Sequence, residues 1–340
     1  MRNHEVTKRQ LLLDENGELR EPGWSRSPVQ QYRRSDIKAP KFRIKEWDYY
    51  LAVNKEFAAA FTLSDDGYIG LQSVSLLVFG DEPWEHTETV LNAFPMGKMD
   101  LPGDSSYGTV KYSDKRLQMS FEVKYHSRHI KCHFEDFMDG KPLDAELILD
   151  QPPMDSMVIA TPWPKKHAFY YNQKILTMRV TGYISFDGRR YEFDSRTDFA
   201  TLDWGRGVWT YDNTWFWAAG NADVDGNSLG WNLGYGFGDT SAATENLLIW
   251  NGTAHKLDDV TFHLPEDGYM GTWRFTSSDG RFEMSFEPVL DRAACLDYKV
   301  IVSDQHQVFG KMSGKAVLDD GTEVSIKDVM CFAEIVHNRY

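Results

Sequence analysis

The stretch DWGRGVWTYDNTWFWAAG, residues 203–220, places two aspartates, one arginine and four tryptophans within eighteen positions. A carboxyl held beside indole rings in a partly dry pocket loses solvation of its charged form. Its pKa rises, and it becomes a usable proton donor near neutral pH. Asp203 is the first candidate for such an acid. Arg206 lies three residues on, and Gly205 and Gly207 allow a sharp bend that would bring both groups to one site. An arginine within reach would hold the carboxyl ionised. The plainer reading of the same residues is a structural Asp–Arg pair that fixes the bend, among tryptophans that serve as core.

Two-residue alternation extends the candidate site. In a strand beginning near Thr214, Trp215 and Trp217 share a face and Phe216 takes the other. Beyond the Asp225-Gly226 turn, Trp231, Leu233, Tyr235 and Phe237 alternate with Asn232, Gly234, Gly236 and Gly238. In TENLLIW, residues 244–250, Glu245 supplies a second carboxyl. Three successive strands thus bring Trp215, Trp217, Asn232, Glu245, Asn246 and His255 into one neighbourhood. The expected site has Asp203 or Glu245 as acid and Trp204, Trp209, Trp215, Trp217 and Tyr235 as aromatic contacts. Arg206, Asn232, Asn246 and His255 complete its polar part. Period two alone does not say which faces point inward.

Other motifs carry less. GYGFG, residues 234–238, lacks the helix and lysine of a phosphate loop. HSRHIKCH, residues 126–133, puts His129 and His133 on one strand face but too far apart for one ion, with His126 turned away. No nucleophile elbow of the GxSxG kind occurs. No metal or cofactor is expected. Asn251-Gly252-Thr253 reads as a hairpin turn.

The elements that must position these groups are hairpins. Asp65-Asp66-Gly67, Asp187-Gly188, Asp225-Gly226, Asn251-Gly252, Asp279-Gly280 and Asp320-Gly321 each separate two alternating runs. Such pairs supply the positive φ that tight hairpins demand. The expected fold class is all-β: two antiparallel barrels, or strongly bent sheets, packed side by side, since closure removes exposed edges. The stretch LDQPPMDSMVIATPWPKKH, residues 149–167, contains four prolines and is the expected crossover. The expected division is an N-terminal arm over 1–41, a first β-domain over 42–165 and a second over 166–340.

At 340 residues and a net charge of −14, the chain is long enough for two cores and electrostatically averse to nucleic acid and anionic bilayers. No apolar run of about eighteen residues is present to span a membrane. Three scattered cysteines and no recognisable leader point to a cytoplasmic protein with free thiols. The expected partner is a small, mainly apolar ligand; oligomeric state is not legible.

The segments GWSRSP, KEWDYY, FYYNQK, DWGRGVWTYDNTWFWAAG, GWNLGYGFGDTSAATENLLIWNG and VFGKMSGKAVLDDG resemble the uncharacterised, mostly bacterial family called domain of unknown function 2804. The layout is more distantly similar to the tandem lipocalin-like proteins that include carotenoid 1,2-hydratase, kievitone hydratase and tocopherol cyclase. That resemblance implies two β-barrel domains, and an apolar cavity near their interface. It also implies acid-assisted hydration or cyclisation of an alkene, with indole faces stabilising the cation. The leading expectation is a cofactor-independent hydratase, isomerase or cyclase acting on an isoprenoid or lipid. A non-catalytic carrier of a hydrophobic ligand suits the same aromatic pocket, and a carbohydrate-active protein with paired carboxylates is a third reading.

Overall fold

The computed structural model describes residues 2–297 and 302–339, and they form an all-β protein with two short 3₁₀ turns, Arg34–Asp36 and Lys41–Arg43. Two large curled antiparallel sheets account for nearly all of it. The turn dipeptides behave as their chemistry requires. At Asp187-Gly188, Asp225-Gly226 and Asn251-Gly252 both residues have positive φ, and Asp139-Gly140, which the alternation did not single out, does the same.

The first sheet runs, from edge to edge, through Trp84–Ala93, Ile69–Val78, Phe57–Asp65, Lys45–Val53, Phe199–Val208, Phe169–Phe186, Lys141–Asp150, Ser127–Met138, Leu117–Lys124 and Thr109–Ser113. Side chains tie the edge strand Trp84–Ala93 to the opposite side of the sheet. Arg116 pairs with Glu88, His86 Nε2 lies 2.7 Å from the Phe137 carbonyl, and Asn92 Nδ2 donates to Tyr112 Oη at 3.0 Å. The second sheet runs through Thr253–Lys256, Leu247–Trp250, Asn227–Tyr235, Asp212–Val224, Glu323–Arg339, Val302–Val317, Phe282–Asp297, Trp273–Ser277 and Val260–His263.

The chain passes from one sheet to the other at Trp209–Tyr211, not in the proline-rich stretch. Within that stretch Met157–Pro162 is itself a strand, paired with Phe169–Phe186 and with Gly23–Ser25 of the N-terminal segment. Proline removes a ladder donor only where it stands, and Pro162 closes its strand instead of ending the sheet. The eighteen-residue strand Phe169–Phe186 turns the corner. A register shift between Ile175 and Met178, with Thr177 at φ 56°, lets its two halves serve different parts of the same sheet. The strands over 169–208 therefore complete the first sheet, although the sequence placed them with the second.

Three apolar cores follow from the alternation. One fills the concave side of the first sheet around Tyr50, Phe61, Phe121, Phe134 and Trp204. Another fills the second around Trp231, Trp273, Phe275 and Phe286. The third lies between the sheets and draws Tyr49, Leu51, Ala58 and Tyr170 from one, with Trp217, Leu247, Ile249 and Phe332 from the other. The N-terminal segment helps join them. Arg26 pairs with Glu5 and Asp155, and it donates to the Ala254 carbonyl of the second sheet at 2.9 Å.

Arg206 belongs to the first core, not to the space between the sheets. Its guanidinium, fully buried, pairs with Asp48 at 2.9 Å and donates to the Trp47, Gly205 and Pro102 carbonyls. It thereby pins the loop around Pro102 to the barrel wall. Removing one partner of a buried pair strands the other charge, so Arg206→Met is expected to cost about 3–5 kcal/mol in denaturant unfolding. Adding Asp48→Leu should recover part of that loss. A single-variant cost below about 1 kcal/mol would show that the pair does not hold this loop.

Candidate active site

The strand Phe199–Val208 is continuous, with every residue buried. Gly205 and Gly207 do not bend it. They admit neighbours: a Cβ at Gly205 would lie 2.0 Å from the Trp47 indole, and one at Gly207 would lie 2.4 Å from the Phe169 carbonyl oxygen. Residues three apart on a straight strand face opposite ways. Arg206 and Trp204 therefore enter the first barrel, while Asp203 faces the second sheet. This corrects the expectation of one pocket holding Asp203 and Arg206.

Two rows of cross-strand pairs meet between the sheets. On the first sheet the row is Lys174, Asp203, Tyr49 and Thr62. On the second it is Gly234, Trp217, Glu334, Gln307 and Arg292. Lys174 is the point of contact. Its Nζ lies 2.8 Å from Asp203 Oδ1 and 3.9 Å from the centroid of the Trp217 indole, and its side chain is 3% exposed. Asn172 Nδ2 donates to the same Asp203 oxygen at 2.6 Å. Further along, Tyr49 Oη donates to Gln307 Oε1 at 3.5 Å and Arg292 donates to Ser75 Oγ at 3.1 Å.

Two more carboxyls close on this lysine. Glu334 accepts from Trp215 Nε1 at 2.9 Å and from Gln307 Nε2 at 2.8 Å. Burial raises its pKa above the ordinary carboxyl value, against the pull of those bonds, Arg292 and Lys174. Glu245 is 6% exposed, and among the described residues no hydrogen bond or ion pair reaches its carboxyl. Burial raises it too; Lys174 and Lys256 oppose the rise and Asp203 adds to it. The hydroxyl of Tyr170 feels Glu245, Asp203 and Glu334 together and is pushed well above its usual range, chiefly by burial. An uncommitted carboxyl whose pKa burial raises, set near an ion pair, is an arrangement suited to proton transfer.

Of the residues expected at one site, the structure brings together Asp203, Glu245, Trp217 and Asn232, with Trp215 and Trp209 at the margin. Asn232 accepts from Trp217 Nε1 at 2.8 Å and donates to the Glu245 carbonyl at 2.9 Å. Trp209 packs edge-on against Trp47 and Phe237, and Trp215 also meets Phe237. Tyr235 is elsewhere, stacked on Phe216 at 4.5 Å and turned toward Phe262 of the second core. Asn246 spends its amide on the Gly234 N–H and the Asp258 carbonyl. His255 accepts from the Asp319 N–H at 3.2 Å. Lys174, Glu334, Tyr49, Tyr170, Gln307 and Arg292 were not anticipated.

The expected indole wall around a hollow is also revised. Lys174 already covers the Trp217 face, so that face is not free for a substrate cation. Between the sheets lies a gap of about 20 Å³, lined by Leu51, Val53, Thr201, Ala219, Gly220 and Phe332 among others. That is room for about one water molecule. A larger depression of about 580 Å³ lies on the first sheet, beside Lys131, His133, Asp144, Glu146, Tyr183 and Arg190, away from the carboxyl cluster. No metal-holding group of three or more His, Cys, Asp or Glu occurs among the described residues. Nor, among them, is any helix long and apolar enough to cross a membrane.

The architecture recurs in solved structures. A protein assigned as AttH from Nitrosomonas europaea is 14% identical, with a TM-score of 0.51 over 90% of this chain and 96% of that one. Kievitone hydratase from Nectria haematococca is 9% identical, with a TM-score of 0.52 over 86% and 88%. CghA is 11% identical, with a TM-score of 0.53 over 97% and 96%. At such identities the likeness is one of fold. No match was found among curated proteins. The profile of the uncharacterised family called domain of unknown function 2804 matches residues 3–340, and the chain belongs to that family.

Proposed function

We propose that the protein is a cofactor-independent acid–base enzyme, of hydratase, isomerase or cyclase type, acting on a small, largely apolar alkene between its two sheets. The observation that carries this reading is Glu245: a buried carboxyl without a hydrogen-bond partner, set beside the Lys174–Asp203 ion pair. Burying such a group weakens a fold, and groups so placed cluster at functional sites. The likeness in fold to kievitone hydratase supports the same class of chemistry.

In the hydratase form, neutral Glu245 gives its proton to one alkene carbon. Water forms a C–O bond to the other carbon and releases a proton. Asp203 takes that proton: its bonds to Lys174 and Asn172 both fall on Oδ1, leaving Oδ2 for the transfer. The proton then returns to Glu245, and the sum is alkene plus water giving alcohol. Isomerisation or cyclisation differs only in what quenches the cation. The gap of about 20 Å³ between the sheets is lined by neither Glu245 nor Asp203, so substrate entry to the carboxyl cluster requires the sheets to part.

Incubation with isoprenoid and polyketide alkenes in deuterated and in oxygen-18 water tests the reading. Deuterium at carbon reports protonation, and oxygen-18 reports hydration. Glu245→Gln should abolish label uptake, a loss of about 10²–10⁴-fold for a general acid. Bound ligand returned unlabelled and unchanged across the panel would overturn catalysis in favour of a carrier. The wild-type rate should fall as pH rises through the raised Glu245 pKa.

Stability supplies a second test, and its sign is fixed. A carboxyl with a pKa raised by folding favours the folded state below its unfolded value. That contribution fades as pH climbs through the folded value. Glu245→Gln, neutral at every pH, should therefore melt at or above wild type at pH 8 and lose that advantage toward pH 4. A variant less stable than wild type at pH 8 would mark Glu245 as a structural partner of Lys174.

A further inference from the structure

Glu245 lies just before the strand Leu247–Trp250, in a segment that no ladder holds. Strand periodicity therefore does not aim its side chain. Lys256, the last residue of the neighbouring strand Thr253–Lys256, holds this segment instead. Its Nζ donates to the Thr244 carbonyl at 2.6 Å, to Thr244 Oγ1 at 3.0 Å and to the Asn246 carbonyl at 2.8 Å. The two carbonyls flank Glu245. Three acceptors match the three N–H bonds of an ammonium, whereas a neutral amine has only two hydrogens. The Trp24 ring of the N-terminal segment covers the ammonium, 5.3 Å from its centroid.

The rest of the segment is tied as well. Thr244 N–H donates to Asn3 Oδ1 at 3.0 Å, and the Glu245 carbonyl accepts from Asn232 at 2.9 Å. The Glu245 carboxyl, by contrast, has no hydrogen bond among the described residues; it lies over Gly234, within the electrostatic reach of Lys174.

We propose that Lys256 is a positioning residue for Glu245: by clamping the carbonyls on either side, its ammonium turns the carboxyl into the inter-sheet layer. The proposal rests on Glu245 as the acid. The charged groups facing Lys256 are Glu245 and Asp258, which favour the ammonium, and Arg2, which opposes it; burial lowers its pKa to about 7. An ammonium surrounded by neutral oxygens and an indole is costly to bury, and the clamp is what it supplies in return.

The test is a carboxyl titration by carbon-13 NMR of the full-length protein, with the Glu245 signal assigned by its loss in Glu245→Gln. In Lys256→Met and in Lys256→Gln, whose shorter amide cannot span both carbonyls, the Glu245 midpoint should fall toward the free carboxyl value near 4.3, because the side chain swings to solvent. Lys256→Arg, which can still bridge both carbonyls, should keep it raised. If the lysine acted only as a nearby positive charge, its removal would move the midpoint upward, and that result, or no change, overturns the proposal. Lys256→Gln, polar but too short to bridge both carbonyls, stands in should Lys256→Met not fold; failure of both to fold makes the lysine a brace for the fold alone and also ends the proposal. A wild-type Glu245 that titrates at the free value defeats the acid reading itself, whatever Lys256 does.

Discussion

An ammonium group closed between two sheets governs what surrounds it. Lys174 reaches from the first sheet onto the face of Trp217 in the second, and its charge is matched by Asp203 beside it on its own sheet. A buried cation without an anion is costly to keep, and a buried anion without a cation likewise. The pair therefore fixes how the two sheets meet. Glu334 and Glu245 then sit in a field already partly balanced, and this is why two further carboxyls, one half-buried and one buried, are tolerated beside the apolar layer. The row from Trp217 through Glu334 and Gln307 to Arg292 continues that polar seam across the second sheet.

The same constraint separates stability from chemistry. Arg206 with Asp48 and Lys174 with Asp203 are both buried ion pairs on neighbouring strands, yet they differ in company. Arg206 is saturated by carbonyl acceptors inside the first barrel and leaves nothing for a substrate. Lys174 instead shares a space with a carboxyl that no partner satisfies. One strand, Phe199–Val208, presents both pairs by alternation, its even residues toward one compartment and its odd residues toward the other.

Much of the fold was legible because turn chemistry is local. The Asp-Gly and Asn-Gly pairs dictate positive φ without reference to the rest of the chain, and alternation placed Trp215 and Trp217 on one face. The crossover was not legible, since a proline cluster looks the same whether it ends a sheet or merely a strand. Asp203 and Arg206 were misjoined because glycine permits a bend without requiring one; here it makes room for Trp47 and for the Phe169 backbone. Lys174 and Glu334 carried a signal that went unread. Each is a lone charge inside an apolar run, in FYYNQKILTM and VMCFAEIV, and such a charge must meet an opposite one contributed by a distant strand. Which strand answers it depends on sheet packing, and no spacing in the sequence encodes that.

The first sheet meets itself through side chains between Trp84–Ala93 and the strands across from it, so the outermost ribbon keeps main-chain donors and acceptors that no ladder consumes. Such a border invites a second molecule to add a strand. Glu85 and Glu88 stand along it, Glu88 already paired with Arg116, and the charge of Glu85 would repel the same border of another copy. Charge along this rim thus acts as a guard against fibril-like association, a task the interior of a fully laddered barrel never has to perform.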